Sequence, residues 1–321
     1  MDTLFLELLG HRIRVLCGGD RIREGVLEAA FLLVRDPFDD SPDLSFDLRV
    51  RGDGDPVPDF AGWERKAESA CGDFTLYGRA GESWVAVEEK SAARYDLPSG
   101  RVEGYVHPDH LEDGWVVGHR LFFIPLLEWL RDRGRFPLHG SCFRVGGRGV
   151  VVCGSSGVGK STAALAAIAA GCPFASDDTL FLTRAGGEVL LDPFPEPVKV
   201  GRGTAAYFPE WKGRLVQKGR KFLLGEDLLP PPGRISGVRP ELLLFPEIHD
   251  SDRSEFESLS PHEAMVRLLP QSVLPADRDR VEEHISLLRD LVGQVRSHRL
   301  LFGRDLRRLP YRIERFMAEV S

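Results

Sequence analysis

The residues whose types and spacing point most clearly to chemistry are eight consecutive positions, Gly154 to Ser161. They match the pattern G-x-x-x-x-G-K-[ST] in full, between an apolar run and an alanine-rich helical segment. Glycines let backbone N–H groups converge on phosphate oxygens, and the start of the following helix adds a favourable dipole. We expect Lys160 to bridge the β- and γ-phosphates of ATP and the Ser161 hydroxyl to hold Mg²⁺. The residues predicted to bind the nucleotide are Gly154, Ser155, Ser156, Gly157, Val158, Gly159, Lys160, Ser161 and Thr162.

Two adjacent carboxylates follow the helix that this loop begins. Asp177 and Asp178 lie behind a short run at 173–175, and Asp178 comes eighteen positions after Lys160. At a strand end beside a phosphate site, one carboxylate can organise Mg²⁺ while the other accepts a proton from an attacking hydroxyl. The alternative is a solvated Asp-Asp turn or a helix cap, and the neighbouring loop favours the catalytic interpretation.

A histidine lies upstream of the loop. His139 precedes Gly140 immediately before an apolar hairpin pattern, and the second strand of that hairpin leads into the loop. A lone histidine before a strand is more often structural than catalytic. This position nevertheless favours a place for His139 in the active site.

The elements that must position these residues lie in the second part of the chain. Short apolar runs, glycine turns and capping signals alternate there, which is typical of an α/β nucleotide-binding core. We therefore assign residues 119–321 to an α/β catalytic domain. Its predicted elements are a helix at 119–133, hairpins at 142–153 and 181–191, a helix at 162–170, a strand at 242–245, helices at 260–269 and 277–295, and a strand at 299–302.

The first third of the sequence predicts a β-rich, irregular domain. Residues 36–59 have the Asp, Pro and Gly content of exposed loops. The stretch has no internal repeat and no catalytic motif, so we interpret residues 1–118 as a smaller α+β accessory domain. A substrate-binding domain is the alternative. Short apolar or alternating runs predict strands at 11–16, 46–50, 74–77 and 84–87.

Charge and composition exclude several classes of partner. The formal net charge of −7 provides no basic footprint for a nucleic acid. The most apolar stretch, 121–130, is far shorter than the ~20 residues that span a bilayer, and we expect no membrane partner. The N-terminus lacks the basic and apolar regions of a signal peptide. Five scattered cysteines without C-x-x-C spacing suit a reduced, cytoplasmic protein. They are Cys17, Cys71, Cys142, Cys153 and Cys172.

Taken together, His139-Gly140, the loop at 154–161 and Asp177-Asp178 resemble the C-terminal catalytic domain of the HPr kinase/phosphorylase family. Those bacterial enzymes phosphorylate a serine on a small protein. The resemblance covers residues 137–180 and implies a P-loop core of the HPr kinase type. It implies Asp178 as the base for the substrate serine, with His139 and Lys160 as further catalytic residues. It also implies Ser161 as a magnesium ligand, with Asp177 beside it in a supporting role at the metal.

The sequence departs from this family in two places. Members that also remove phosphate carry a motif resembling L-E-[IV]-R-G-L-G, whereas residues 191–197 here read LDPFPEP. Asp192 and Glu196 are the carboxylates that would have to substitute there as a metal ligand, and we expect a kinase without phosphorylase activity. The later catalytic arginine has three candidates by position and chemistry. They are Arg202, Arg234 and Arg239.

The acceptor is suggested by a narrower resemblance. Shorter relatives occur in peptide-modification gene clusters, including those for lasso peptides, and residues 299–306 look like the endings of such stand-alone homologues. This implies a serine of a peptide or small protein as acceptor, and the wider family implies a homo-oligomer. The basic segment Lys212–Lys221 is either a solvated loop face or a mobile segment that contacts ATP phosphates or an acidic peptide.

Two other functions fit the same loop. One is a small-molecule kinase, or a phosphotransferase resembling phosphoenolpyruvate carboxykinase. The other is a nucleotide-gated binding protein with little phosphoryl transfer. A transporter-type ATPase is excluded because the sequence has neither an LSGGQ-like signature nor a later apolar strand ending in Asp-Glu.

Overall fold

The computed structural model of the chain describes residues 2–69, 72–219, 221–272 and 278–319. The chain divides into two compact units. The first comprises the described residues up to 134 together with 278–281, and the second comprises the rest. Cys71 and the predicted start of the last long helix at Asp277 lie outside the described residues.

The first unit is a mixed sheet with two packed helices. Its strands follow the order β1-β2-β3-β8-β7-β6-β5-β4, in which β3 is parallel to both of its neighbours. The predicted strands in this part of the chain are confirmed as β2, β3, β5 and β6. The elements are β1 (Asp2–Leu8), β2 (His11–Cys17), α1 (Asp20–Ala30), β3 (Leu44–Val50), β4 (Glu64–Glu68), β5 (Thr75–Arg79), β6 (Glu82–Val87), β7 (Ser91–Asp96), β8 (Arg101–Val106) and α2 (Phe123–Arg131).

The predicted helix at 119–133 belongs to this first unit. A π-helical segment, Val116–Phe122, continues directly into α2. Phe122 is fully buried and its ring centre lies 4.8 Å from that of Phe46 on β3. Because this helix covers the sheet of the first unit, the two units part after Gly134, whereas the sequence analysis placed the boundary after residue 118.

The second unit is an α/β structure around a sheet in the order β12-β11-β9-β10-β16-β18-β17. Strands β10, β16 and β18 are parallel, so their carboxyl ends meet at one edge. A small sheet, β13-β15-β14, accompanies it. The elements are β9 (Phe136–Val145), β10 (Arg148–Cys153), α3 (Lys160–Ala169), β11 (Phe174–Ala185), β12 (Glu188–Pro193), β13 (Val198–Gly201), α4 (Arg202–Ala205), β14 (Val216–Lys218), β15 (Lys221–Leu224), β16 (Pro240–Ile248), β17 (Glu255–Ser258), α5 (Pro261–Leu268), α6 (Arg278–Gln294), β18 (Arg296–Phe302) and α7 (Leu309–Glu319).

Both faces of this sheet are buried under helices. Successive side chains of a strand point to opposite faces. Val150 and Val152 of β10 therefore pack with α3 and α7, whereas Val151 and Cys153 pack with α5 and α6. The predicted hairpins, the strands β16 and β18, and the capping box at Ser260 are confirmed. Among the described helices, none has the length and apolar character needed to cross a bilayer.

Candidate active site

The loop at 154–161 connects the end of β10 to the start of α3. Gly157 has φ 87° and Gly159 has φ 115°, which are backbone conformations that other residues adopt only with strain. Gly159 also lies against the ring of Phe302, because a Cβ at position 159 would be 2.9 Å from Cε2 of that ring. Gly159, the second fixed glycine of the motif, is therefore required both by the turn and by packing, and Gly157 is required by the turn.

Lys160 points back into the loop. Its Nζ donates hydrogen bonds to the carbonyl oxygens of Gly154, at 2.6 Å, and Ser155, at 3.0 Å. The residue is buried, and burial lowers the pKa of the Lys160 ammonium while the charges of Asp177 and Asp178 act against that change. The loop thus holds a cation beside the two carboxylates that the sequence analysis singled out.

The register between β9 and β11 brings the predicted residues together. In this antiparallel pair, Ser141 lies opposite Asp177, and Gly140 lies opposite Asp178. Ser141 Oγ donates a hydrogen bond of 2.5 Å to Asp177 Oδ1, and Ser161 also donates to this carboxylate. Burial raises the pKa of Asp177 in spite of these two hydrogen bonds. Asp177 is therefore an enclosed carboxylate flanked by two hydroxyl groups.

Asp178 has an unusual backbone conformation. Its φ is 125°, which is strained for a residue with a side chain. Neighbouring side chains of a regular strand point to opposite faces, and this conformation departs from that geometry. The Asp178 carboxylate contacts His139 of the adjacent strand, with Nδ1 of His139 at 2.8 Å from Oδ1. Nδ1 also lies 2.9 Å from the backbone oxygen of Asp178.

A lysine that the sequence analysis missed completes this cluster. Lys199 Nζ, on β13, lies 3.2 Å from Asp178 Oδ2 and 3.0 Å from Glu196 Oε2. Burial by itself would raise the pKa of Asp178, but the hydrogen bond from His139 and the charge of Lys199 outweigh it and lower that pKa. The pKa of Glu196 is raised, chiefly by burial. The sequence signal that could have identified Lys199 is its spacing from Glu196, three positions earlier in the proline-rich segment 195–199.

The other predicted candidates have different surroundings. Asp192 pairs with Arg135 and accepts a hydrogen bond of 2.8 Å from the Gly237 N–H, so its carboxylate is engaged in holding the fold. Glu196, the second candidate for that ligand role, lies in the Asp178 cluster through Lys199.

The three candidate arginines also differ in place. Arg234 is almost fully buried and donates to the carbonyl oxygens of Ala175 and Glu196, so it ties two segments of the site together. Arg239 pairs with Glu188 at an exposed position, at the far end of the β11–β12 hairpin. Arg202 is exposed at the first position of α4.

The basic segment Lys212–Lys221 contributes β14 and the first residue of β15, while Arg220 lies outside the described residues. Lys221 is near enough to the loop for its charge to act on the Lys160 ammonium. Contact of the basic segment with ATP phosphates or with an acidic peptide stays a prediction.

The enclosed carboxylate gives a stability test. Replacing Ser141 with alanine is expected to lower the free energy of unfolding by about 1–3 kcal/mol, because a buried carboxylate loses a donor. The loss should shrink toward acid pH, since burial raises the pKa of Asp177 and a protonated carboxyl needs that donor less. Urea unfolding of Ser141→Ala measures the effect, with the exposed Ser236→Ala as control. Equal stability of the two variants at neutral pH would contradict the described role of Ser141.

Comparison with solved structures finds proteins of related structure. The chain is similar to the Hpr(Ser) kinase/phosphatase from Coxiella burnetii, at 13% sequence identity and a TM-score of 0.31, over 57% of this chain and 88% of that chain. No protein-family model matches the sequence, and no curated protein matches it.

Proposed function

We propose that the protein is an ATP- and Mg²⁺-dependent kinase that transfers the γ-phosphoryl group to a serine hydroxyl of a peptide or small protein. The observation that carries the proposal is the pairing of Asp178 with His139 and Lys199 in the same site as the cation of Lys160. The proposal joins a loop suited to a triphosphate with a carboxylate suited to an attacking hydroxyl.

The residues of the loop fit a nucleotide with its metal ion. The backbone turns at Gly157 and Gly159, and Lys160 provides a cation inside the loop. Ser161 and Asp177 supply a hydroxyl and a carboxylate oxygen, the kinds of ligand that Mg²⁺ prefers. They are the residues that would hold the ion. When bound, the ion would neutralise charge on the transferring phosphoryl group.

Asp178 is the residue suited to accept the proton of the acceptor hydroxyl. About a third of its side chain is exposed (35%), whereas Asp177 is enclosed and has two hydroxyl donors. His139 and Lys199 fix the position of the Asp178 carboxylate and keep it ionised, because they hold its pKa below the ordinary range. A base must be deprotonated and accessible to the hydroxyl, and the Asp178 carboxylate is ionised and partly exposed.

The proposal is confined to phosphate addition. Residues 191–197 differ from the motif associated with phosphate removal, and Asp192 within them is held by Arg135 and Gly237. Glu196 is the carboxylate of this segment that lies in the Asp178 cluster, through its pairing with Lys199.

The fate of the γ-phosphate tests the proposal. The purified protein is incubated with γ-labelled ATP, Mg²⁺ and the peptide and small-protein fraction of the cells that express it. Label on serine in a peptide or protein supports the proposal. Label in a metabolite instead indicates a small-molecule kinase, and binding of ATP without any transfer indicates a nucleotide-gated binding protein.

Lys199 gives a pH-dependent prediction. Removing its cation in Lys199→Met raises the pKa of Asp178, so phosphoryl transfer should fail at a higher pH as the solution is acidified. The pH profile of the transfer rate measures this, and Lys199→Arg, which keeps the charge, should retain the profile of the unaltered protein more closely. Identical profiles for Lys199→Met and the unaltered protein would exclude Lys199 as a positioning residue for Asp178.

A further inference from the structure

A pocket of about 710 Å³ lies in the second unit. It lies where the segments that follow β16 and β18 meet the side of α7. Tyr207, Arg304, Arg308 and Tyr311 are among the side chains that line it. Arginines outnumber carboxylates in this lining, although the chain as a whole has a formal net charge of −7.

The order of the strands relates this pocket to the glycine-rich loop. Ligands of open α/β sheets bind outside the carboxyl ends of the strands. The loop follows β10, and the segment that begins at Gly303 follows β18, which is two strands away, or about 10 Å. Phe302, the last residue of β18, packs against Gly159 of the loop. Arg304, which lines the pocket, comes two residues after Phe302, so this part of the lining begins close along the chain to the residue that contacts the loop.

The same strand order indicates toward which strand the nucleoside end of a bound nucleotide extends. Asp178 lies on β11, two strands from β10 on the side opposite to β18. With the γ-phosphate directed toward Asp178 across Lys160, the opposite end of the triphosphate is on the β18 side of the loop. That end carries the ribose and the base. The sheet order thus directs the nucleoside toward the pocket.

The lining has the chemistry of a nucleoside site. Tyr207 and Tyr311 are large side chains that stay 48% and 60% exposed. Arg304 is held by Asp250, at 2.7 Å, whereas Arg308 is exposed and pairs with no carboxylate among the residues that the structure describes. Nucleic-acid bases stack on aromatic rings and on guanidinium planes, and a free guanidinium attracts phosphate oxygens.

We propose that this pocket binds the base and ribose of the nucleotide, with the base stacked on the rings of Tyr207 and Tyr311 and with Arg308 facing its phosphate end. The inference rests on the proposed function, because it needs the loop at 154–161 to hold the triphosphate. It adds a nucleoside site formed by the segments after β16 and β18, by α7 and by Tyr207.

Inorganic tripolyphosphate has the phosphates of ATP but neither its base nor its ribose. Comparing the binding of the two ligands therefore distinguishes phosphate binding from nucleoside binding. Calorimetry would measure the binding of ATP and of tripolyphosphate, each with Mg²⁺, to the unaltered protein and to two double variants. In Tyr207→Ala/Tyr311→Ala, ATP binding is expected to weaken about tenfold or more, while tripolyphosphate binding stays unchanged. In Tyr207→Phe/Tyr311→Phe, which keeps both rings, ATP binding should be close to that of the unaltered protein.

The outcomes distinguish this inference from the proposed function. If the alanine variant binds ATP as tightly as the unaltered protein, or loses affinity for ATP and tripolyphosphate equally, the nucleoside site is wrong and the proposed function stands. If the unaltered protein binds neither ATP nor tripolyphosphate, the proposed function fails and the nucleoside site fails with it. Both tyrosines are exposed, so the alanine variant is expected to fold.

Discussion

Replacing Asp178 with asparagine is expected to lower the rate of phosphoryl transfer by about 10²- to 10⁴-fold, the usual contribution of a general base. Asparagine has nearly the same shape but cannot accept the proton of the acceptor hydroxyl. ATP binding should be largely kept, because the loop at 154–161 and Lys160 are unchanged. Initial rates of label transfer and calorimetry with ATP measure the two effects separately.

The matched control for this variant is Asp227→Asn. Asp227 is an exposed carboxylate that pairs with Arg214, so its replacement also removes one ion pair and one negative charge. Transfer by Asp227→Asn should equal that of the unaltered protein. Full transfer by Asp178→Asn would rule out Asp178 as the base, and loss of ATP binding in that variant would mean that its role lies in binding.

Replacing Lys160 with methionine is expected to lower transfer by about 10²- to 10³-fold or more, because the transferring group loses a positioned cation. ATP binding should weaken as well, unlike in Asp178→Asn. Methionine has a similar length but cannot donate to the carbonyl oxygens of Gly154 and Ser155, which are the partners of Lys160 in the structure. Transfer rates and calorimetry again measure the two effects.

Lys66→Met is the control for the charge change, because Lys66 is exposed on β4 of the first unit. It should leave ATP binding and transfer unchanged. If Lys160→Met behaved like Lys66→Met, the loop at 154–161 would not be a phosphate site, whatever its sequence pattern.

The local features of the fold could be predicted because their causes are local. The Gly146-Gly147 turn joins two apolar runs, and the structure has the β9–β10 hairpin there. Ser260 and Glu263 form the reciprocal hydrogen bonds of a capping box at the start of α5. Such signals depend on a few neighbouring residues, so a single sequence is enough to find them.

Two of the longer helices, α1 and α7, were missed, and for α7 the signal was present. Leu309, Ile313 and Met317 recur every fourth residue and are all buried on one face of α7. This spacing is the pattern of an amphipathic helix. The helix lies beyond the stretch that carries the catalytic motifs, and it forms one side of the pocket beside β18.

The composition of the site depends on contacts that are distant in sequence. Motif spacing brought His139, Lys160, Asp177 and Asp178 into one hypothesis, and the antiparallel register of β9 and β11 places the histidine and the carboxylates on adjacent strands. Lys199 reaches Asp178 from β13, in a different sheet, and no local pattern specifies that approach. The positive φ of Asp178 was also unpredictable, because aspartate rarely adopts it.

The most direct test of the proposed kinase activity compares two labelled forms of ATP in parallel reactions. The protein is incubated with its peptide and small-protein fraction and Mg²⁺, in parallel with ATP labelled in the γ-phosphate and ATP labelled in the α-phosphate, and the acceptor is hydrolysed to identify the phosphorylated residue. Transfer of the γ-phosphoryl group to serine would give γ-label on serine and no α-label. Transfer of α-label to the acceptor, or γ-label found only in inorganic phosphate or a metabolite, would contradict the proposed transfer to serine.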